Sequence, residues 1–178
     1  LVVSKIWLCE ELEKLLNNNT KHQLHILGSW TNILGFMLLV RNRYLYKNVH
    51  AYDINESANS IATLINDTWL FEEPNVYIHT TDIDQIDYSL HEENRIYINC
   101  SVEHLESRHW FDSIPKDSIV VLQSSNMNDP SEPWLIKDYV DSIGTLEKRY
   151  PLNVLYRGTK TISYNHFQYD RFMIIGIK

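Results

Sequence analysis

Residues 22–55 constrain the fold more than any other part of the chain. They open with His-Gln-Leu-His-Ile-Leu-Gly-Ser-Trp and close with Asn-Val-His-Ala-Tyr-Asp-Ile-Asn. Leu24, Ile26 and Leu27 form a short apolar run that predicts a buried strand, and Gly28 and Ser29 break it. Ile33, Leu34, Met37, Leu38 and Leu45 recur at roughly helical spacing and predict a helix. Val49, Ala51 and Tyr52 begin a second strand, with Asp53 at its carboxyl end. Strand, glycine turn, helix, strand and acid, in that order, match the nucleotide-binding half of a doubly wound sheet. Asp53 follows Gly28 by 25 positions, near the spacing of a carboxylate that grips ribose hydroxyls.

The departures from that pattern narrow the ligand. A dinucleotide fingerprint, Gly-x-Gly-x-x-Gly, lets the backbone approach a pyrophosphate closely. Here Trp30 stands at the second glycine and the next glycine is Gly35, which argues against NAD or FAD. No Gly-Lys-Ser/Thr is present, which argues against a P-loop. A ligand with adenosine and ribose but no phosphate fits better, and S-adenosylmethionine is one. On these residues the chain resembles the class I S-adenosylmethionine-dependent methyltransferases. An ordinary βαβ turn and a helix cap account equally well for Gly28 and Asp53 taken alone.

The 178 residues suffice for one domain with a sizeable core. The net charge of −7 sets the chain against broad, nonspecific binding of nucleic acid. Cys9 and Cys100 do not make a disulfide framework, so a reducing cytoplasm is the expected compartment. No apolar run approaches the roughly 18 residues of a membrane span.

Along the chain, residues 4–16 predict a flanking helix with Ile6, Cys9, Leu12, Leu15 and Leu16 on one face and Ser4 as its cap. Residues 56–67 predict a second helix of the repeating unit, with Ile61, Ala62, Leu64 and Ile65 inward. Strands are expected at 76–80, 95–99 and 117–123, a helix over 102–111, a loop over 124–137 and a helix over 138–150 with Val140, Ile143 and Leu146 inward. Two β-rich runs, 152–162 and 171–178, end the chain, joined by an aromatic loop at 164–169. The expected fold is α/β: a Rossmann-like, doubly wound, mostly parallel seven-stranded sheet with an antiparallel C-terminal edge hairpin and helices on both faces, in one domain over 1–178. This order of elements, with its antiparallel seventh strand, extends the resemblance over almost the whole chain.

In an open α/β sheet the ligand lies beyond the carboxyl ends of the strands. The resemblance implies that Leu27, Gly28, Ser29 and Trp30 pass under the methionine part of S-adenosylmethionine and that Asp53 binds the ribose. It also implies that Thr81 and Asp82 face the adenine amino group, with Ile54 and Ile83 on the ring and Asp84 and Asp87 as rivals for Asp82. Asn99 would lie near the reacting methyl. From the residues themselves, 99–104 (Asn-Cys-Ser-Val-Glu-His) is the densest polar cluster at a strand end. Glu103 or His104 could serve as a general base, or Ser101 could cap a helix whose first turn holds both. A thiol nucleophile at Cys100 has no nameable third partner. His104 and His109 are badly spaced for a metal, and none is expected. The expected activity is methyl transfer to a small-molecule or peptide acceptor, and the alternative is a non-catalytic nucleotide- or protein-binding module. The aromatic group Tyr156, Tyr164, His166, Phe167 and Tyr169 could line an acceptor pocket, join two copies of the chain or pack as a hairpin tip.

Overall fold

A computed structural model describes residues 2–67, 74–90, 92–128, 136–164 and 167–178, except for the side chains of Tyr164 and Phe167. The elements are α1 (Val2–Leu15), β1 (His22–Leu27), α2 (Ile33–Asn42), β2 (Tyr46–Asp53), α3 (Glu56–Asn66) and β3 (Asn75–Thr80), then β4 (Arg95–Asn99), α4 (His109–Ser113), β5 (Ile119–Ser125), α5 (Ile143–Arg149), β6 (Asn153–Tyr164) and β7 (Phe167–Ile177). Seven strands form one sheet in the order β3-β2-β1-β4-β5-β7-β6. β1 to β5 pair in parallel, and β7 runs antiparallel to both β5 and β6. The chain builds outward from β1 to β3, returns to β4 on the other side of β1, and continues to β5. The switch point therefore lies between β1 and β4.

Two apolar layers sandwich the sheet. On one face Leu24, Ile26, Val49, Ile96, Ile98, Val121, Met173 and Ile175 meet α1 and α2 through Trp7, Leu8, Leu12, Leu34, Leu38 and Leu39. On the other, Leu27, Tyr52, Tyr97, Val120, Leu122, Phe172 and Ile174 meet Tyr88, Trp110, Phe111, Val140, Leu146 and Tyr150. Burial on both faces is why the parallel strands read as apolar runs. β1 departs from that rule, because His22, Gln23 and His25 are buried with its aliphatic residues. The His25 ring stands in a cross-strand row with Tyr97, His50 and Tyr77, at centroid distances of 4.8, 5.1 and 4.8 Å. Its Nε2 donates to Gln23 Oε1 at 3.1 Å, since an amide oxygen only accepts. Its Nδ1 stands within hydrogen-bond reach of the Tyr52 hydroxyl, at 3.2 Å.

Several expected faces and boundaries differ. In α1 the buried residues include Trp7, Leu8 and Cys9, while Ile6 and Leu15 are each 39% exposed. The Trp7 indole donates to the Tyr156 hydroxyl of β6 and turns the helix onto the sheet's far edge. In α3 Ala58, Asn59, Ala62 and Asn66 face inward, and Ile61 and Leu64 face out. No α-helix spans 102–111: Val102–His104 is one 3-10 turn, and α4 is a separate short helix. Ser101 makes no side-chain cap there. α5 starts at Ile143 behind Ser142, whose hydroxyl accepts from Thr145 N–H, so Val140 is buried ahead of the helix. β5 takes in Ser124 and Ser125 from the expected loop, and β6 and β7 extend the hairpin to Tyr164 and Phe167. Residues 129–135 of that loop and 165–166 of the hairpin tip lie outside the described residues. Among the described residues, no helix is long and apolar enough to cross a membrane.

Candidate functional site

The turn after β1 alternates in backbone handedness. Gly28, Trp30 and Asn32 take φ values of 66°, 52° and 52°. Three left-handed residues at every second position coil the backbone tightly before α2. Gly28 suits that conformation, Asn32 tolerates it, and Trp30 is a true outlier. The coil is tied to the end of β2: Ser29 N–H donates to Tyr52 O at 2.9 Å and Trp30 N–H to Asp53 Oδ2 at 2.7 Å. Asn32 closes the turn by donating its N–H to Ser29 O at 2.9 Å. A Cβ on Gly35 would sit 2.4 Å from Asn32 Oδ1, so the second glycine of the stretch leaves room for the Asn32 side chain.

Asp53 is the hub of this end of the sheet. Its other oxygen, Oδ1, accepts from Asn55 N–H at 2.9 Å, and its carbonyl accepts from Thr81 N–H at 3.1 Å. Asn59, buried in α3, donates its amide to the same carbonyl at 3.0 Å and to Thr80 Oγ1 at 2.9 Å. Sequence reasoning passed over Asn59; its signal is a polar residue on the inward stripe of a helix. Asp82 Oδ1 accepts from Asp84 N–H at 2.9 Å and starts a 3-10 turn. Asp84 is occupied by Trp110 N–H at 2.9 Å, and Asp87 by Ser89 N–H at 3.1 Å. Ile54 is 72% exposed beside Asp53, whereas Ile83 is buried among Tyr88 and its neighbours.

Asn99 ends β4 opposite Leu27 of β1, so the 99–104 cluster starts beside the glycine turn. Its Oδ1 accepts from Ser101 N–H at 2.9 Å, and its buried Nδ2 has no partner. Glu103 turns inward. Its Oε1 accepts from Arg171 Nη1 at 2.7 Å and from the Ser125 hydroxyl at 3.2 Å, while its carbonyl accepts from Lys137 and Asp138 N–H. Arg171 also donates to Cys100 O, so one guanidinium from β7 fixes the whole turn after β4. That arginine escaped the sequence reading, although it interrupts an otherwise apolar strand. His104 is half-buried at the end of the same turn. Burial pushes the Cys100 thiol up, which suits packing rather than nucleophilic attack.

These features test the fit of a phosphate-free nucleoside ligand. A Cβ built on Gly28 meets nothing within 4 Å, so the turn borders open space. Each Asp53 oxygen takes one backbone N–H and keeps a lone pair for a further donor. The Asn99 amide and the Ser29 hydroxyl are buried polar groups without partners at neighbouring strand ends. A carboxylate suited to a diol and spare polar groups toward β4 fit an adenosyl ligand, which the 28–32 turn, Asp53 and Asn99 would hold. Among the described residues, no three His, Cys, Asp or Glu side chains gather as a metal site.

No protein-family model matches the chain, and no curated protein matches it in sequence. Its architecture, by contrast, recurs in solved structures. Magnesium protoporphyrin IX methyltransferase from Synechocystis, with S-adenosylmethionine bound, superposes with a TM-score of 0.66 at 12% identity, over 97% of this chain and 78% of that one. The N-methyltransferase NodS from Bradyrhizobium japonicum gives 0.64 at 16% identity, over 96% and 94%. A putative sarcosine dimethylglycine methyltransferase from Galdieria sulphuraria gives 0.67 at 11% identity, over 99% and 85%. The fold is that of the class I S-adenosylmethionine-dependent methyltransferases. At these identities the likeness concerns the fold.

Proposed function

We propose that the chain binds S-adenosylmethionine and transfers its methyl group to a small-molecule or peptide acceptor. The observation that carries this reading is the left-handed 28–32 turn hydrogen-bonded to the Asp53 carboxylate at the carboxyl end of a methyltransferase-type sheet. S-adenosylmethionine supplies an electrophilic methyl on a sulfonium that leaves as a neutral thioether. The 28–32 turn holds the amino-acid end, Asp53 accepts from the ribose hydroxyls, and the Asp82 region borders the adenine. Asn99 orients the acceptor and His104 takes up its proton where one must leave. Glu103, through its ion pair with Arg171, holds the turn that carries both. Orientation supplies most of the acceleration, because the leaving group needs no activation. The fold accounts for nearly the whole chain, and its net charge of −7 favours small or peptidic acceptors over nucleic acid.

One observation favours the second reading, a non-catalytic nucleotide- or protein-binding module: Glu103 and the Asn99 side-chain oxygen Oδ1 are already engaged within the protein. Calorimetry with S-adenosylmethionine, S-adenosylhomocysteine, NAD and ATP separates the readings. Binding of the two S-adenosyl compounds and not of NAD is expected, and the reverse pattern defeats the proposal. With an acceptor in hand, His104→Ala should lower turnover about 10²–10⁴-fold and leave cofactor affinity unchanged.

A further inference from the structure

Asn59 is a buried amide on the inward stripe of α3, beside Ala58, Ala62 and Asn66. Its Nδ2 donates to Asp53 O at 3.0 Å and to Thr80 Oγ1 at 2.9 Å, with His79 O farther off at 3.4 Å. Asp53 and Thr80 are the last register pair of β2 and β3, so one amide clamps both strand ends. Helix α3 closes the circuit: Asn59 N–H donates to Asn55 O at 3.0 Å, and Asn55 N–H to Asp53 Oδ1 at 2.9 Å. Neither acceptor depends on the amide for satisfaction. The Asp53 carbonyl also accepts from Thr81 N–H at 3.1 Å, and Thr80 is exposed to water. An apolar side chain on this stripe would bury without desolvating an amide, and the Asn59 Oδ1 is itself buried without a partner. What the amide adds over an apolar residue is a fixed separation between two strand ends.

We infer that Asn59 is a positioning residue for the adenosyl part of the cofactor, setting the gap between Asp53 at the end of β2 and residues 81–83 beyond β3. The inference rests on the S-adenosylmethionine reading above and adds to it a residue that touches no ligand. In that reading the ribose hydroxyls meet Asp53 and the adenine borders Asp82, two positions after Thr80. Ribose and base are one covalent unit, so both contacts form together only when the two strand ends keep one spacing. Backbone beyond the last rung of a ladder frays most readily, and the Asn59 bonds cross between the strands at that rung. A shift of about 1 Å on either side stretches a hydrogen bond beyond its working range. The Asp53 carboxylate keeps its own anchors at Trp30 and Asn55, so loss of the clamp falls first on the base. Asn59 thereby governs how sharply the site tells adenine from another purine.

The test uses the whole chain and calorimetry with S-adenosylhomocysteine and S-inosylhomocysteine, which differ only in the base. The wild-type chain should prefer the adenine compound by about tenfold, the worth of one hydrogen bond to a charged acceptor. Asn59→Leu removes both donors at similar volume. Its affinity for S-adenosylhomocysteine should fall about tenfold and its preference for adenine to about threefold or less. Thr80→Val cuts only the arm to β3, at an exposed strand position that suits valine, and should reduce the preference in the same direction with the melting temperature within about 2 °C of wild type. Should Asn59→Leu not fold, Thr80→Val decides. A structural tie alone lowers stability and leaves base preference where it was. An unchanged preference in the folded variants, or no preference in the wild type, overturns the inference and leaves the cofactor reading intact. A wild-type chain that binds no S-adenosyl compound defeats the cofactor reading and this inference with it.

Discussion

Each Asp53 oxygen serves the protein before it can serve a ligand. Oδ2 receives Trp30 N–H and Oδ1 receives Asn55 N–H, so the carboxylate joins the turn after β1 to the start of α3. Asp53→Ala therefore removes two anchors of the loop as well as the proposed ribose contact. A loss of about 1–2 kcal/mol in stability is expected, comparable to the loss of a helix cap. A loss of about 1.5–3 kcal/mol in affinity for S-adenosylmethionine is expected beside it. Asp53→Asn keeps an acceptor for one N–H and should recover part of the stability but little of the affinity. Chemical denaturation and calorimetry on the same two variants check this. Parallel recovery of stability and affinity would reduce Asp53 to a structural anchor.

At the scale of elements, the strands and their order are legible in the sequence because each parallel strand is buried on both faces. Arg95–Asn99 coincides with its expected bounds, since Asn94 before it takes a φ of 57° and Asn99 after it turns back on Ser101. Gly28 and Asp53 were legible for the same reason, as residues that end strands. The helical faces were legible only in part: Cys9 and Leu12 of α1 and Leu34 and Leu38 of α2 are buried as expected, but the face of α3 is a different one. In α3 Ile61 and Leu64 point outward and Ile65 is only half-buried, while Ala58, Asn59, Ala62 and Asn66 line the inner stripe against α2, β2 and β3. Hydrophobicity alone cannot show that an alanine stripe faces the protein. The polar partners were also hidden: the Arg171–Glu103 pair joins residues 68 positions apart, and it turns Glu103 away from the helix expected there. Ala62→Leu should cost about 1–3 kcal/mol by overpacking, whereas Leu64→Gln should stay within about 0.5 kcal/mol. Urea unfolding measures both, and a larger loss at Leu64 would reverse the assigned faces.

Across the whole molecule, imidazoles concentrate in the half of the sheet that carries the proposed site. His22 and His25 lie in β1, His50 in β2 and His79 in β3. Burial lowers the affinity of His22 and of His79 for a proton below that of an ordinary imidazole. His50 Nδ1 and His79 Nε2 stand 3.1 Å apart with ring planes 11° from parallel, a contact that needs one nitrogen to keep its lone pair. The sign of the pH effect follows. Unfolded histidines take up protons near pH 6.5, while the folded His22 and His79 take them up only at lower pH. Their contribution to stability is thus fully present above about pH 6.5 and is lost as the pH falls through and below that value. The melting temperature should hold steady from pH 8 to 7 and then decline toward pH 5, well above the range in which ordinary carboxylates titrate. Because β1, β2 and β3 carry the 28–32 turn and Asp53, affinity for S-adenosylmethionine should weaken over the same interval. Replacing His22 and His79 together with phenylalanine should flatten the melting profile between pH 7 and 5, whatever the variant's absolute stability. An equally steep profile in that variant would assign the acid sensitivity to other groups.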